Sequence, residues 1–186
     1  MAHRFAPIAL LVVTACATSG AGRYQDKEMD FAAIRTVAIL PLTNLSRDSA
    51  AADRVRDVLA NMLLATGALY VVPQGEVMRG LGAAAIAAPS SPAMEEVVKL
   101  GKVLKADALL TGVIKEYGEV RSGSASGNII SMSLQMQETA TGKVVWSAST
   151  TKGGVSFSDR LLGSAGAPMN QVTEAAVDDL LNNLFR

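Results

Sequence analysis

Residues 129–150 read "IISMSLQMQETATGKVVWSAST", and their residue pattern indicates the architecture of the sheet. Apolar and polar side chains alternate through its first ten residues. The apolar set is Ile130, Met132, Leu134 and Met136, and the polar set is Ser131, Ser133, Gln135 and Gln137. Such alternation predicts a strand with one buried and one solvent-facing side. The turn residues "TATGK" and the β-rich "VVWSAST" that follow predict an antiparallel return strand.

The sequence upstream predicts a parallel unit. "TVAILPL" (36–42) is a short apolar run, typical of a strand buried on both faces. Val55, Leu59 and Leu63 then recur at helical spacing, and Gly67 marks the end of that helix. "LYVV" (69–72) is a second short strand. A strand, a helix and a strand within about 35 residues form a βαβ unit, whose strands should run parallel.

Two further helices complete the prediction. Ser91 can cap a helix that has Pro92 at its first position. "PMNQVTEAAVDDLLNNLF" (168–185) carries a long apolar stripe, with Val177, Leu180 and Leu184 on its inner face. We therefore expect an α/β fold. It is a single domain over residues 31–186, with a mixed sheet, an N-terminal parallel βαβ unit, an antiparallel hairpin and a C-terminal helix.

Composition excludes several classes of function. The formal net charge is zero, which argues against a nucleic-acid partner because such proteins need a basic face. His3 is the single histidine and Cys16 the single cysteine of the 186 residues. Catalysis by Ser-His-Asp or Cys-His groups, and zinc sites built on Cys or His, are therefore not expected in the domain. No cofactor and no metal ligand is predicted.

Four carboxylates lie at or near predicted strand ends. They are Asp107, Glu116, Glu119 and Glu138. A catalytic pair needs two carboxyl groups at a defined separation, and nothing in the spacing places two of these together. Solvated charges at sheet edges are the better interpretation. We predict no catalytic residue and a protein that is not an enzyme.

The N-terminus has the layout of a secretory signal peptide. Arg4 supplies a positive charge, Ala6–Val13 are almost wholly apolar, and small residues follow up to Ala15. The apolar run is far short of the ~20 residues that a membrane-spanning helix needs. We predict a signal peptide over residues 1–15. The alternative is a buried N-terminal helix or strand.

"VTAC" (13–16) resembles the lipobox of bacterial lipoproteins. The resemblance implies cleavage between Ala15 and Cys16, a diacylglyceryl group on the Cys16 thiol and a fatty acid such as palmitate on the new amine. Ala17, which is not Asp, implies the outer membrane. Residues 16–30 would then form a lipidated N-terminus and tether that leaves the domain facing the periplasm. The alternative is an ordinary signal peptide with an incidental cysteine.

Two loops call for an interpretation. "SGSASG" (122–127) lacks the Gly-Lys-Ser/Thr ending of a phosphate loop and predicts a flexible hairpin loop. "KGGVSFSDRLLGSAGAP" (152–168) is longer and contains Phe157, Leu161 and Leu162. Loops of this length often carry function, so these three side chains are candidate contacts to a protein partner. A plain surface loop is the alternative.

Three segments together resemble the CsgG-like superfamily of bacterial lipoproteins. They are "VAILPLTN" (37–44), "KADALLTGVIKEYGEV" (105–120) and "ETATGKVVWSASTTKGG" (138–154), followed by the C-terminal helix. The superfamily includes uncharacterised periplasmic lipoproteins and LpoB, an activator of a peptidoglycan synthase. The resemblance covers most of residues 36–185 and implies a mixed α/β sheet.

The resemblance leaves three functions open. The first is a non-enzymatic accessory or assembly factor of an envelope transport or cell-wall machine, which acts by binding a protein partner. Such a factor could also form a homo-oligomer. The second is an oligomeric outer-membrane secretion channel of the CsgG type, whose extended hairpins would correspond to residues 118–127 and 152–168. The third is an LpoB-like activator of a peptidoglycan synthase. We favour the first, because neither loop has the length and alternation of a membrane-crossing hairpin.

Overall fold

A computed structural model describes residues 22–155 and 166–185, and seven strands form one mixed sheet. The strand order is β1-β7-β6-β5-β2-β4, and β3 pairs with β5. The elements in chain order are β1 (Arg23–Gln25), a 3-10 helix (Phe31–Ala33), β2 (Thr36–Ile39), β3 (Thr43–Asn44), α1 (Ala51–Thr66), β4 (Tyr70–Val71), α2 (Gln74–Ala83), α3 (Met94–Leu104), β5 (Ala108–Ser122), β6 (Ala125–Glu138), β7 (Val144–Gly153) and α4 (Met169–Leu184).

The predicted βαβ unit is confirmed. β2 pairs in parallel with β4 and also with β5. α1 buries Val55, Leu59 and Leu63 and ends at Gly67, whose φ of 65° is the left-handed conformation that glycine adopts without strain. The spacing of apolar residues therefore predicted the buried side of this helix correctly.

The hairpin that follows is also confirmed. β6 pairs antiparallel with β5 on one side and with β7 on the other. Ile130, Met132, Leu134 and Met136 are each 1% exposed or less. Trp146 on β7 is buried with them, so it is a core residue rather than a stacking platform for a ligand.

The two faces of the sheet are covered unequally. On one face α1 and α4 pack over the strands, and their side chains form a core with those of β5, β6 and β7. On the other face α2 and α3 form a smaller core with residues such as Ala38, Leu40 and Leu109. That second core draws its strand residues from β2, β5 and the segments beside them, so the β6–β7 half of this face is left outside it.

A polar tie joins α4 to β7 at the edge of the larger core. Asp179 accepts hydrogen bonds from the Thr150 hydroxyl at 2.7 Å and from Lys152 Nζ at 2.9 Å. In a half-buried carboxylate, hydrogen bonds from a cation and a hydroxyl replace the hydrogen bonds to water that are lost on burial. This contact links the C-terminal helix to β7.

Three expectations require correction. The predicted tether over residues 16–30 overlaps the sheet, because β1 pairs with β7 at Tyr24↔Ser147. A three-residue edge strand is held by backbone hydrogen bonds and needs no apolar pattern. α3 begins at Met94 rather than at Pro92, since Glu96 accepts a hydrogen bond from the amide of Ala93 at 2.8 Å and caps the helix there. Finally, the hairpin loop predicted over residues 122–127 is confined to a turn at residues 123–124, and its other residues belong to the two strands.

Gly153, at the end of β7, is a position where a side chain cannot be accommodated. Its φ is 83°, and an added Cβ would lie 2.0 Å from the carbonyl oxygen of Asn128. We expect Gly153→Ala to lower the free energy of unfolding by more than about 2 kcal/mol, because strain and a backbone clash add.

The matched control is Gly82→Ala. Gly82 lies in α2 with nothing within 4 Å of an added Cβ, so alanine should stabilise the helix by up to ~1 kcal/mol. Urea unfolding of both variants measures the two effects. Equal midpoints would contradict the packing of β7 against β6.

Candidate interaction surfaces

The β6–β7 half of one sheet face presents rows of small polar side chains. Strand register places Tyr24, Ser147, Gln135 and Thr111 in one row and Ser149, Ser133 and Val113 in the next. Thr151 and Ser131 lie in a third row, which the charged Glu116 of β5 continues. Gln137 lies beyond the first row. The Thr151 hydroxyl donates to Ser131 Oγ at 3.0 Å, as neighbours on one face should. We call the ten positions other than Glu116 the neutral sheet face, because none of them carries a charge.

A small cleft lies at one side of the neutral sheet face. It has a volume of about 160 Å³ between the sheet and the loop that precedes α3. Ser90, Ser91 and Pro92 form the loop wall, and Gln135 and Gln137 contribute to the sheet wall. Ser91 therefore lies beside the sheet face instead of capping a helix.

The end of the β5–β6 hairpin borders a second, larger groove. Its volume is about 410 Å³, and it lies between the chain at Leu45–Arg47 and the β5 residues 115–120. Leu45 is 67% exposed at this groove, and Val120 and Ile129 also line it. The groove offers apolar contacts with a mixed charged rim, which is typical of a protein-binding surface.

Glu119 on this hairpin is held in its charged form. A hydrogen bond from Ser126 is the main cause that lowers the pKa of Glu119, and Arg121 lowers it further. Arg121 Nε lies 3.3 Å from Glu119 Oε1. A carboxyl group with a lowered pKa is unsuited to act as a general acid near neutral pH.

The other predicted carboxylates have structural partners or lie in solvent. Asp107 Oδ2 accepts hydrogen bonds from the amides of Arg35 and Thr36, both at 2.9 Å, and so ties the start of β2 to β5. Glu138 accepts from the Thr141 hydroxyl at 2.6 Å in the β6–β7 turn. Glu116 is exposed beside the groove. These contacts agree with the interpretation that the four carboxylates are edge charges.

Within residues 22–155 and 166–185 there is no group of three or more His, Cys, Asp or Glu side chains that could hold a metal ion. Among the helices of the same two ranges, none is long and apolar enough to cross a membrane.

The predicted site residues lie outside the described residues. Ala15 and Cys16 precede them, and Phe157, Leu161 and Leu162 fall in the gap between residues 155 and 166. Their roles therefore stay predictions. The neutral sheet face was not predicted as a site, although the polar half of the alternation over residues 129–138 marks its central strand.

The fold and surfaces define a class: a single α/β domain with a mixed sheet, in which the β6–β7 half of one face lies outside the smaller core. The chain belongs to the GNA1162-like family, described as "Putative lipoprotein GNA1162-like", whose profile matches residues 25–185. The expectation of a lipoprotein family is thus confirmed, whereas the narrower CsgG-like assignment stays a prediction. No curated protein matches the chain.

Two solved structures, with TM-scores above 0.5, share the fold at low sequence identity. The dodecamer of a PelC point variant from Paraburkholderia phytofirmans has a TM-score of 0.60 and 17% identity, over 88% of this chain and 97% of that one. Lipoprotein GNA1162 from Neisseria meningitidis has a TM-score of 0.52 and 22% identity, over 80% of this chain and 99% of that one. The C-terminal domain of LpoB from Escherichia coli reaches a TM-score of 0.47 at 17% identity, over 66% and 82% of the two chains.

Proposed function

We propose that the chain is a lipid-anchored protein of the outer membrane that faces the periplasm and acts by binding other proteins, without catalysis. The observation that carries the proposal is the match to a lipoprotein family over residues 25–185. The signal-peptide layout and the lipobox-like VTAC ending at Cys16 agree with it. Acyl chains of this kind contribute roughly 0.8 kcal/mol per buried methylene, so several chains hold a protein permanently.

The protein-binding role is supported by the kinds of surface present. The groove at Leu45 combines exposed apolar side chains with a charged rim. Phe157, Leu161 and Leu162, outside the described residues, remain predicted contacts to a protein partner. The carboxylates of the described ranges that were candidates for catalysis are taken up by strand and turn contacts or lie singly in solvent.

We include self-assembly in the proposal. The PelC structure that shares this fold is a dodecamer, which supports the assembly of several copies of this chain into an oligomer. Closed assemblies of identical subunits are the usual form of soluble oligomers.

Photo-crosslinking in intact cells tests the protein-binding role. The crosslinking residue replaces Leu45 or Leu161 in the full-length protein, and captured proteins are identified by mass spectrometry. We expect a specific envelope protein at one or both positions. Leu64, exposed on α1 away from the groove, is the matched control position.

The outcome also separates the alternatives. A peptidoglycan synthase as the captured protein would identify an LpoB-like activator. Conductance of the purified oligomer in lipid bilayers would identify a secretion channel. Capture of the same proteins at Leu64 as at Leu45 and Leu161 would contradict the proposed function. An enzymatic activity of the purified protein that is lost in Glu116→Gln would also contradict it.

A further inference from the structure

We propose that a second copy of this chain covers the neutral sheet face, so that this face forms the contact between subunits. The inference deepens the self-assembly part of the proposed function and rests on it. It begins from a feature of the ten positions, which lie on four adjacent strands: none of them carries a charge, and the charged Glu116 pairs with Ser131 at their margin.

Charge is the first argument for a second copy as the occupant. In a two-fold contact the face of one copy meets the same face of the other copy, so a face with charge of one sign would repel its own copy. The neutral sheet face avoids that repulsion. Charged residues are also depleted in the buried centres of protein interfaces. A strongly acidic or basic partner, in contrast, would find no counter-charge within this face.

Hydrogen bonding is the second argument. Eight of the ten positions are Ser, Thr or Gln, of which Thr111 is buried, and the other two are Tyr24 and Val113. Hydroxyl and amide groups both donate and accept, so a face built from them can satisfy a copy of itself. Ser131 and Thr151 already show this pairing across β6 and β7, at 3.0 Å.

Dimensions are the third argument. Four strands at ~4.8 Å spacing and six residue steps at ~3.4 Å give a face on the order of 300–400 Å². A standard interface buries about 800 Å² per partner, so the face has the size of an interface centre. Tyr24 lies at one margin and is 51% exposed, and tyrosine is a residue type enriched at interfaces. At the opposite margin the charged Glu116 of β5 pairs with Ser131 of β6. The layout is that of a neutral centre with a polar rim.

The test introduces charge at the centre of the face. Ser133 and Ser149 are directly opposed on β6 and β7, and Ser133→Lys with Ser149→Lys places two lysines there in every copy. The full-length protein is purified from membranes in mild detergent, and its copy number is measured by native mass spectrometry and light scattering. We expect several copies for the wild type and at least a tenfold weaker self-association for the double variant.

The control variant is Ser124→Lys, in the exposed turn of the β5–β6 hairpin, which should assemble as the wild type does. Circular dichroism melts check that the double variant is folded, and Ser149→Lys alone provides a milder second variant. A wild type that is monomeric at about 50 µM, where an interface of micromolar affinity is largely occupied, would overturn both self-assembly and this inference. Assembly that persists in both folded lysine variants would overturn this inference alone. Crosslinks to other proteins at Leu45 or Leu161 would be unaffected in either case.

Discussion

Leu180→Ala is expected to lower the free energy of unfolding by about 2–5 kcal/mol, the range for a buried leucine that leaves a cavity. Leu180 is 0% exposed on α4, which packs on β6, β7 and α1. The side chain lies in the larger core together with Trp146 and Leu134. For a domain of this size the loss corresponds to a fall in melting temperature of roughly 4–20 °C.

Two controls make the measurement specific. Leu64→Ala removes the same atoms from a helix residue that is 52% exposed, so it should cost well under half as much. Asn182→Ala lies on the exposed side of α4 and removes one hydrogen bond, to Asp178 at 2.8 Å. Similar melting shifts for Leu180→Ala and Asn182→Ala would show that the register of α4 is wrong.

The parts of the fold that follow from periodicity were predictable. Alternation over residues 129–138 named the buried side of β6, and helical spacing named Val55, Leu59 and Leu63 on α1. In both cases the buried side of the element requires apolar side chains at a fixed spacing, so the pattern can be detected in the sequence. The C-terminal stripe at Val177, Leu180 and Leu184 is confirmed for the same reason.

The parts that depend on backbone pairing were not predictable. β1 is held by its register with β7, and its residues Arg23–Gln25 have no apolar period. The hairpin strands run up to the turn at residues 123–124, although Gly118, Gly123 and Gly127 suggest a loop. Strand pairing in these places overrides local residue preference. The start of α3 differs from the prediction because the Glu96 carboxylate accepts a hydrogen bond from the Ala93 amide.

The candidate surfaces were predictable only in part. The polar side of β6 was evident, but Ser147, Ser149 and Thr151 join it only once β7 is placed in register. The groove at Leu45 brings together residues about 70 positions apart, such as Arg47 and Lys115, so no local pattern marks it. The lipidation site is the reverse case, since its recognition depends on four consecutive residues and not on the fold.

Cys16→Ser is expected to abolish lipidation and to leave the full-length precursor in the inner membrane. The lipobox-like VTAC implies that the thiol of Cys16 receives the diacylglyceryl group and that cleavage before Cys16 follows. A serine hydroxyl is a far weaker nucleophile than a thiolate, so the modification should fail.

The measurement is intact mass and membrane fractionation of the variant beside Ala17→Ser, which changes the neighbouring residue and should be lipidated and cleaved as the wild type is. The wild type should lack residues 1–15 and carry acyl chains on residue 16, in the outer membrane. The single cysteine makes the result unambiguous, because Cys16 is the one thiol in the sequence. A Cys16→Ser protein that still reaches the outer membrane with an acyl group would refute lipid anchoring at this residue, while leaving the protein-binding surfaces of the domain to be tested separately.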